Sequence, residues 1–349
     1  VQPWEWPTQT RNQLMPRPEA GVYSNLAHRL AGRRIAGKFP AAAGVECFIL
    51  APIAPGRTGA MVAWSRGAAS DRAKIDAYLG DGPVTLVDMW GNERPVPLGG
   101  RARGNEASRD GPPTHHIELS EEPVFIEGVD VGLAQFIASF QIEPDYAPAS
   151  AAEHELALVL ANPFQSRAQG RVTILEPGGL SKDPVGRDRS WRITPRSSPF
   201  AIAPGQTARI PIRMSFSPVE EAGTKPFVVE VELAADRDYG VFRLNSTFEV
   251  RLDAIQMDLS YRVLPGGKDL IVEAHLTNKG KGPATIELSA FAPGLPRARA
   301  SIADLPKGDT ATRRFAFPGA ADQLRGQRVV VGAQDAESQA RVNKSIPIE

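Results

Sequence analysis

Five carboxylates cluster in the first part of the chain, Asp88, Glu93, Glu118, Glu121 and Glu122. They are candidates by type for hydrolytic acid–base work, which needs two carboxyls held ~5–10 Å apart across the bond that breaks. Asp88 and Glu93 belong to VTLVDMWGNERPV, residues 84–96, a strand-like run that breaks at Gly91-Asn92 and then resumes. A short acceptor at Asp88 can bond the N–H groups of such a turn, and Gly-Asn supplies the backbone freedom the turn needs. Asp88, Gly91 and Asn92 are therefore assigned to turn structure, and acidic residues beside turns are read as solvated caps.

His115-His116-x-Glu118 offers metal-ligand types. Neighbouring positions on a strand point to opposite faces, so His116 and Glu118 can converge while His115 cannot, and no third ligand is near in sequence. His154-Glu155 lacks the second histidine of a zinc-protease helix, His275 lies on the outward parity of a strand, and His28 packs or caps in a helix. Asp236-Arg-Asp238-Tyr-Gly240 starts like a calcium loop but lacks its closing Glu. Cys47 is the one cysteine, set in apolar VECFIL and read as a buried structural thiol. No Gly-x-Ser-x-Gly elbow occurs, and Gly266-Gly267-Lys268 lacks the other residues of a phosphate loop. Asn245-Ser-Thr and Asn343-Lys-Ser match the glycosylation pattern, which is short enough to arise by chance. No catalytic residue, metal site or cofactor is assigned. Aromatic faces are the remaining binding chemistry. Of the tryptophans, Trp64 and Trp191 read as core strand residues, while Trp90 beside the turn and the Trp4-x-Trp6 pair could stack on a sugar.

The elements that must position these residues follow from periodicity. The opening stretch, rich in proline, reads as an extended arm. From Glu19 to Ala36, Tyr23, Leu26, Ala27, Leu30 and Ile35 fall near helical spacing with Arg29, Arg33 and Arg34 elsewhere on the wheel, predicting an amphipathic helix. After Gly37 the period becomes two, and ECFILAPI, GAMVAWS, PVTLVDM, HHIELS and EPVFIEG predict strands. SRGAASDRAKIDAYLGDGP could hold a helical turn, GGRARGNEASRDGPP reads as an exposed loop, and 129–140 reads as a connector. Beyond it the alternation is regular: in ARIPIRMSF, Ala208, Ile210, Ile212, Met214 and Phe216 share one face.

Two stretches repeat. ELALVLANPFQSRAQGRVTI and DLIVEAHLTNKGKGPATIEL both run strand, Asn (162 or 278), Gly-containing turn, strand, and each is followed by a Gly-polar-Thr turn feeding another strand. The expected organisation is an arm and helix (1–36), a β-sandwich (37–128), the connector (129–140) and two sandwiches of one kind (141–252 and 253–349). With 349 residues, 42% of them hydrophobic, the chain can bury a sizeable core. Forty basic residues balance forty acidic ones, so no field exists to attract nucleic acid, and no apolar run reaches the length of a membrane span. The chain begins at Val1, and an upstream segment is expected to have been removed.

The repeated strand-Asn-turn-strand unit resembles the immunoglobulin-like and fibronectin-type accessory sandwiches of bacterial extracellular proteins, particularly those on carbohydrate-active enzymes. The first 128 residues resemble the tail of a glycoside hydrolase catalytic region, where a last barrel helix leads into a small β-sandwich. Asp88, Gly91, Asn92, Pro123, Val124 and Ile126 occupy the places of that domain's Asp-x-x-Gly-Asn turn and Pro-Val-hydrophobic strand. The barrel itself, which needs about 200–250 residues, has no counterpart in this sequence.

The fold class expected is all-β, tandem antiparallel immunoglobulin-like sandwiches with one helix near the N-terminus. The resemblance implies an extracellular, cell-surface or periplasmic protein. The expected role is non-catalytic: bracing and spacing an upstream catalytic domain. A glycan- or protein-binding adhesion module that uses Trp90, Trp4 or Trp6 on polysaccharide is the alternative, and a hydrolase complete in this chain comes third.

Overall fold

A computed structural model describes residues 4–5, 15–16, 18–42, 44–53, 57–67, 73–99, 112–150, 152–177 and 191–349. Strands β1 (Trp4–Glu5) and β2 (Met15–Pro16) form a short antiparallel pair ahead of helix α1 (Pro18–Leu30). The helix is shorter than its sequence pattern. Gly32 takes a φ of 70°, the left-handed conformation that commonly ends helices, and Ile35 falls on a strand.

That strand is β3 (Arg33–Lys38), followed by β4 (Val45–Pro52), β5 (Ala60–Ser65), β6 (Ala73–Ala77), β7 (Val84–Val87), β8 (Glu93–Val96), β9 (Leu98–Gly99), β10 (Thr114–Leu119) and β11 (Val124–Glu127). They form a six-stranded sheet, β3-β4-β5-β11-β7-β8, and a three-stranded one, β6-β10-β9. The segment around Ala73–Ala77, expected to hold a helical turn, is strand β6, whose Ile75 pairs with Ile117 of β10. Most of the loop 99–113 lies outside the described residues. Alternation sends Cys47, Ile49, Met61, Ala63, Leu86 and Ile126 to one side of the six-stranded sheet, and Leu50, Ala60, Val87 and Phe125 to a smaller cluster on the other.

The stretch 129–140, read from the sequence as a connector, is largely helical. It contains α2 (Val131–Ala138), capped by Asp130, whose Oδ1 accepts from Leu133 N at 2.9 Å. Leu133, Ala134, Phe136 and Ile137 are buried. Phe136 meets Phe164, Phe200 and Phe242 at ring separations of 6.1, 6.2 and 6.5 Å, and Tyr78 meets Phe242 at 5.7 Å. One hydrophobic core therefore runs from Phe39 to Val250 through α2.

The next strands are β12 (Gln141–Glu143), β13 (Tyr146–Ala147), β14 (His154–Ala161), β15 (Ala168–Glu176), β16 (Arg192–Thr194), β17 (Ser197–Ile202), β18 (Thr207–Ser215), β19 (Gly223–Ala234) and β20 (Asp238–Val250). Then come β21 (Ile255–Val263), β22 (Leu270–Asn278), β23 (Ala284–Phe291), β24 (Ala298–Leu305), β25 (Thr310–Phe317), short helix α3 (Ala321–Leu324), β26 (Arg328–Asp335) and β27 (Arg341–Pro347). The two sandwiches share a plan: β12-β14-β18-β16 corresponds to β21-β22-β25, and β17-β15-β19-β20 to β24-β23-β26-β27. The fold is all-β, with immunoglobulin-like antiparallel sandwiches in tandem. The inner residues Ile210, Ile212 and Met214 of β18 and Phe227, Val229 and Val231 of β19 are buried as their alternation requires.

The repeat extends to individual hydrogen bonds. Asn162 Nδ2 donates to Ser166 O and Ile202 O, both at 2.8 Å, and its Oδ1 accepts from Phe164 N at 2.9 Å. Asn278 Nδ2 donates to Gly282 O and Leu305 O at 2.8 Å, and its Oδ1 accepts from Gly280 N at 2.8 Å. Each buried amide ties its own turn to the strand crossing above it, which explains a polar residue at the same place in both cores.

The last sandwich has a separate core and joins its neighbour through backbone. Ala149 and Arg341 exchange N–H···O bonds at 3.0 and 2.9 Å, and Ala222 N donates to Asn343 O at 2.7 Å. Asn343, 1% exposed, donates to Pro218 O and Glu220 O at 3.0 and 2.8 Å. Its match to a glycosylation pattern is thus coincidental, since its amide nitrogen holds the junction together. Asn245, on β20, is exposed.

Candidate functional site

The β7–β8 turn is held from within and from outside. Asp88 Oδ1 accepts from Trp90 N and Asn92 N, both at 2.9 Å, and Oδ2 accepts from Asn92 Nδ2 at 2.7 Å. Gly91 takes a φ of 92°, which a side chain would oppose. Partial burial works to raise the Asp88 pKa, but the hydrogen bonds from Asn92, Trp90 and Gly91 outweigh it and hold the carboxyl below its ordinary value. Both oxygens are committed to the turn.

From outside, helix α1 closes on this turn. Asn25 Nδ2 donates to Asp88 O at 3.0 Å and Met89 O at 3.2 Å. One turn on, Arg29 pairs with Glu93 at 2.7 Å and with Glu127 at 2.8 Å, and Arg33 reaches the other oxygen of Glu127 at 3.0 Å. The Arg33 side chain is only 2% exposed. Desolvation alone would raise the Glu127 pKa, yet the two guanidiniums bring it below the ordinary value. Glu127 lies two residues beyond Phe125, so α1 rests on the sheet face that carries the smaller apolar cluster.

The consequence is a helix seated on its polar side. An amphipathic helix ordinarily turns its apolar stripe toward the core, but Tyr23, Leu26 and Leu30 are 51%, 38% and 41% exposed. Ile53, whose N–H bonds Gly32 O just past the helix end, is 65% exposed. Trp90, at the tip of the turn against which α1 rests, is 53% exposed. An exposed apolar stripe along one helix, here Tyr23, Leu26 and Leu30, marks a site where something docks. Asn25 and Glu127 went unnoticed as site residues in the sequence. The i, i+4 spacing of Asn25 and Arg29 was the available signal, but it named no partner.

Beside the turn, an open groove of about 430 Å³ is lined by Asp88, Arg94, Glu118, Glu121, Glu122 and Pro123. His116 and Glu118 share the outward face of β10, and His116 Nδ1 lies 2.7 Å from Asp76, which Lys74 also pairs. His115 points inward, 1% exposed, and accepts from Leu79 N at 3.3 Å. Among the described residues no group of three or more His, Cys, Asp or Glu is arranged to hold a metal. Asp236 Oδ1 accepts from Tyr239 OH at 2.8 Å, Asp238 Oδ1 from Gly240 N at 2.8 Å, and Arg237 pairs with Asp130 at 2.6 Å, so this motif clamps a turn onto α2.

His154 stacks on Phe216 at 5.2 Å, His275 bonds Ser260 and Thr312, and His28 is exposed. Trp191 stacks on Phe216 at 4.3 Å and Trp64 on Phe48 at 5.8 Å. Trp4 falls on β1, but its side chain, and all of Trp6, lie outside the described residues. Among the described residues no helix is long and apolar enough to cross a membrane.

The sequence matches no known family profile, and no curated protein resembles it. Solved structures to which the chain is similar include the Pseudomonas aeruginosa CupB2 chaperone, at 14% identity, TM-score 0.22, covering 58% of this chain and 96% of that one. The Amycolatopsis orientalis exo-chitosanase CsxA matches at 12% identity and TM-score 0.21, covering 59% of this chain and 27% of that one. Chicken CNTN1 FN1-FN3 domains match at 10% identity and TM-score 0.17, covering 90% and 96%. Scores of this size transfer no property of those proteins to this chain.

Proposed function

We propose that this chain is a non-catalytic bracing and spacing region of a secreted or surface protein, and that the outer face of α1 docks a neighbouring catalytic domain of the carbohydrate-active kind. The observation that carries the reading is the orientation of α1. Asn25, Arg29 and Arg33 bind the helix down, and Tyr23, Leu26 and Leu30 are thereby held outward as an apolar stripe. The continuous core through α2 and the backbone pairing at Arg341 and Asn343 support a stiff spacer, with 37–128, 141–252 and 253–349 as its successive units. The nature of the docked domain rests on the resemblance of the Asp88 turn and the Pro123–Ile126 strand to hydrolase tail domains.

The test is Leu26→Asp with Leu30→Asp in the whole gene product. Expected is faster proteolysis between this region and its neighbour, with unchanged melting of the isolated region. Unchanged proteolysis counts against docking, and turnover of aryl glycosides by the purified chain would overturn the non-catalytic assignment. A second reading, a glycan-binding module, is favoured by Trp90, half exposed beside the 430 Å³ groove. Retention on polysaccharide gels that Trp90→Ala abolishes would select it.

A further inference from the structure

The outer face of the β24-β23-β26-β27 sheet carries an open cavity of about 530 Å³. Its lining includes Arg297, Arg299 and Arg341 together with Ser289, Ser301 and Gln334. Strand register brings them together from distant parts of the chain. Arg299 lies opposite Ser289, and Ser289 opposite Gly332; in the next row Ser301, Glu287, Gln334 and Arg341 follow one another across four strands.

Arg341 is built into this face. Its side chain crosses β26 over Gly332, where a Cβ would sit 2.3 Å from Nη2 and 2.7 Å from Nε. Nη2 then donates to Ser289 Oγ on the third strand at 2.9 Å. Nε is out of solvent and has no hydrogen-bond acceptor. Other partly buried guanidiniums are fully engaged: Arg29 and Arg33 have Glu127, Arg237 has Asp130, and Arg196 donates to the Ile174 and Pro177 carbonyls. Arg341, Arg297 and Arg299 have no carboxylate partner among the described residues. Glu287 also lines the cavity but forms no ion pair with any of the three. Burial, and secondarily the charge of Arg297, push the Arg341 pKa down, the mark of a cation without a counter-charge.

Exposed Arg297 and Arg299 beside the partly buried Arg341 gather like charge that repels, and an anion placed among them reverses that cost. Guanidinium forks match the oxygens of phosphate and sulfate. We propose that this cavity binds an oxyanion, a phosphate or sulfate group, between Arg299 and Arg341. The proposal does not depend on the α1 face. The volume leaves room for more than the anion alone, so the group can come from the free ion or from an ester on a small molecule such as a sugar phosphate.

Titration calorimetry on the full chain, at ionic strength held constant with sodium chloride, tests it with sodium sulfate, sodium phosphate, glucose 6-phosphate and glucose. Saturable binding of at least one of the first three, without binding of glucose, is expected. Tenfold tighter binding of the sugar phosphate than of the free ions assigns the ester source, and equal affinities assign the free ion. Arg299→Gln, at an exposed position, should weaken binding at least tenfold while leaving the melting temperature unchanged; Arg341→Gln should weaken it further. Absence of saturable heat, or equal binding by wild type and Arg299→Gln, overturns the proposal.

Discussion

Replacing Asn278 by alanine should unlock the last sandwich by an amount the structure sets. The amide makes three hydrogen bonds, to Gly282 O, Leu305 O and Gly280 N, and Asn278 itself is fully buried. Truncation leaves the carbonyl of buried Leu305 unpaired, at a cost of ~1–3 kcal/mol, whereas the Gly280 and Gly282 groups border an exposed turn where water can restore part of the loss of ~1 kcal/mol each. The sum is about 2–4 kcal/mol. Asn278→Asp retains the acceptor for Gly280 N but turns a carboxylate oxygen toward two carbonyls, and should cost more at neutral pH. Because this sandwich has its own core, the loss should be local. Hydrogen exchange followed by mass spectrometry, on peptides from β22 and β25 against peptides from β14 and β18, reads it directly. Asn162→Ala should mirror the result in the other sandwich. A loss below about 1 kcal/mol, or an aspartate tolerated as well as asparagine, would refute the assignment of these amides as structural ties.

Glu127→Gln should strand Arg29 and Arg33 beside a neutral side chain and release α1, destabilising by about 2–3 kcal/mol, less than a fully buried pair because the site is partly wet; increased exchange confined to residues 18–30 checks it. The Cys47 thiol, its pKa pushed up to about 12 by burial, should resist iodoacetamide at pH 8 until denaturant is added. Burial lowers the His115 pKa below its ordinary 6.5, so the unfolded chain takes the proton first, and stability present above pH 6.5 should fall as pH drops below it. Urea midpoints between pH 7 and pH 5 should slope less in His115→Gln than in wild type.

What the sequence made legible was governed by local rules. Alternation in ARIPIRMSF fixed which residues of β18 enter the core, because successive strand side chains must face opposite ways whatever the partner strand. The repeat around Asn162 and Asn278 was visible because both copies answer the same local need, an amide pairing with a turn four residues on. Helix α2 was not, since VGLAQFIA carries no polar stripe to betray its period, and a helix buried against Phe164, Phe200 and Phe242 needs none. The lining of the arginine cavity was equally hidden: Arg299 and Arg341 meet only through strand pairings across β23 and β26.

Helix α1 shows why periodicity can identify an amphipathic helix and still misdirect it. The hydrophobic wheel identifies two faces but not which one meets the protein. Turning Tyr23, Leu26 and Leu30 inward would remove their remaining exposed area, about half of each, from water, a gain of order 1 kcal/mol for each. It would also leave Glu127 without Arg29, a loss of comparable size on a surface where the carboxylate is largely covered. The Asn25 bonds to the Asp88 turn would go with it. The decision rests with acidic residues 64 and 94 positions away, Glu93 for Arg29 and Glu127 for Arg33, which no window along the helix contains. What tips the balance is the set of specific partners, Glu93, Glu127 and the carbonyls of the Asp88 turn, so the outward apolar face is fixed by named contacts, as a docking surface requires.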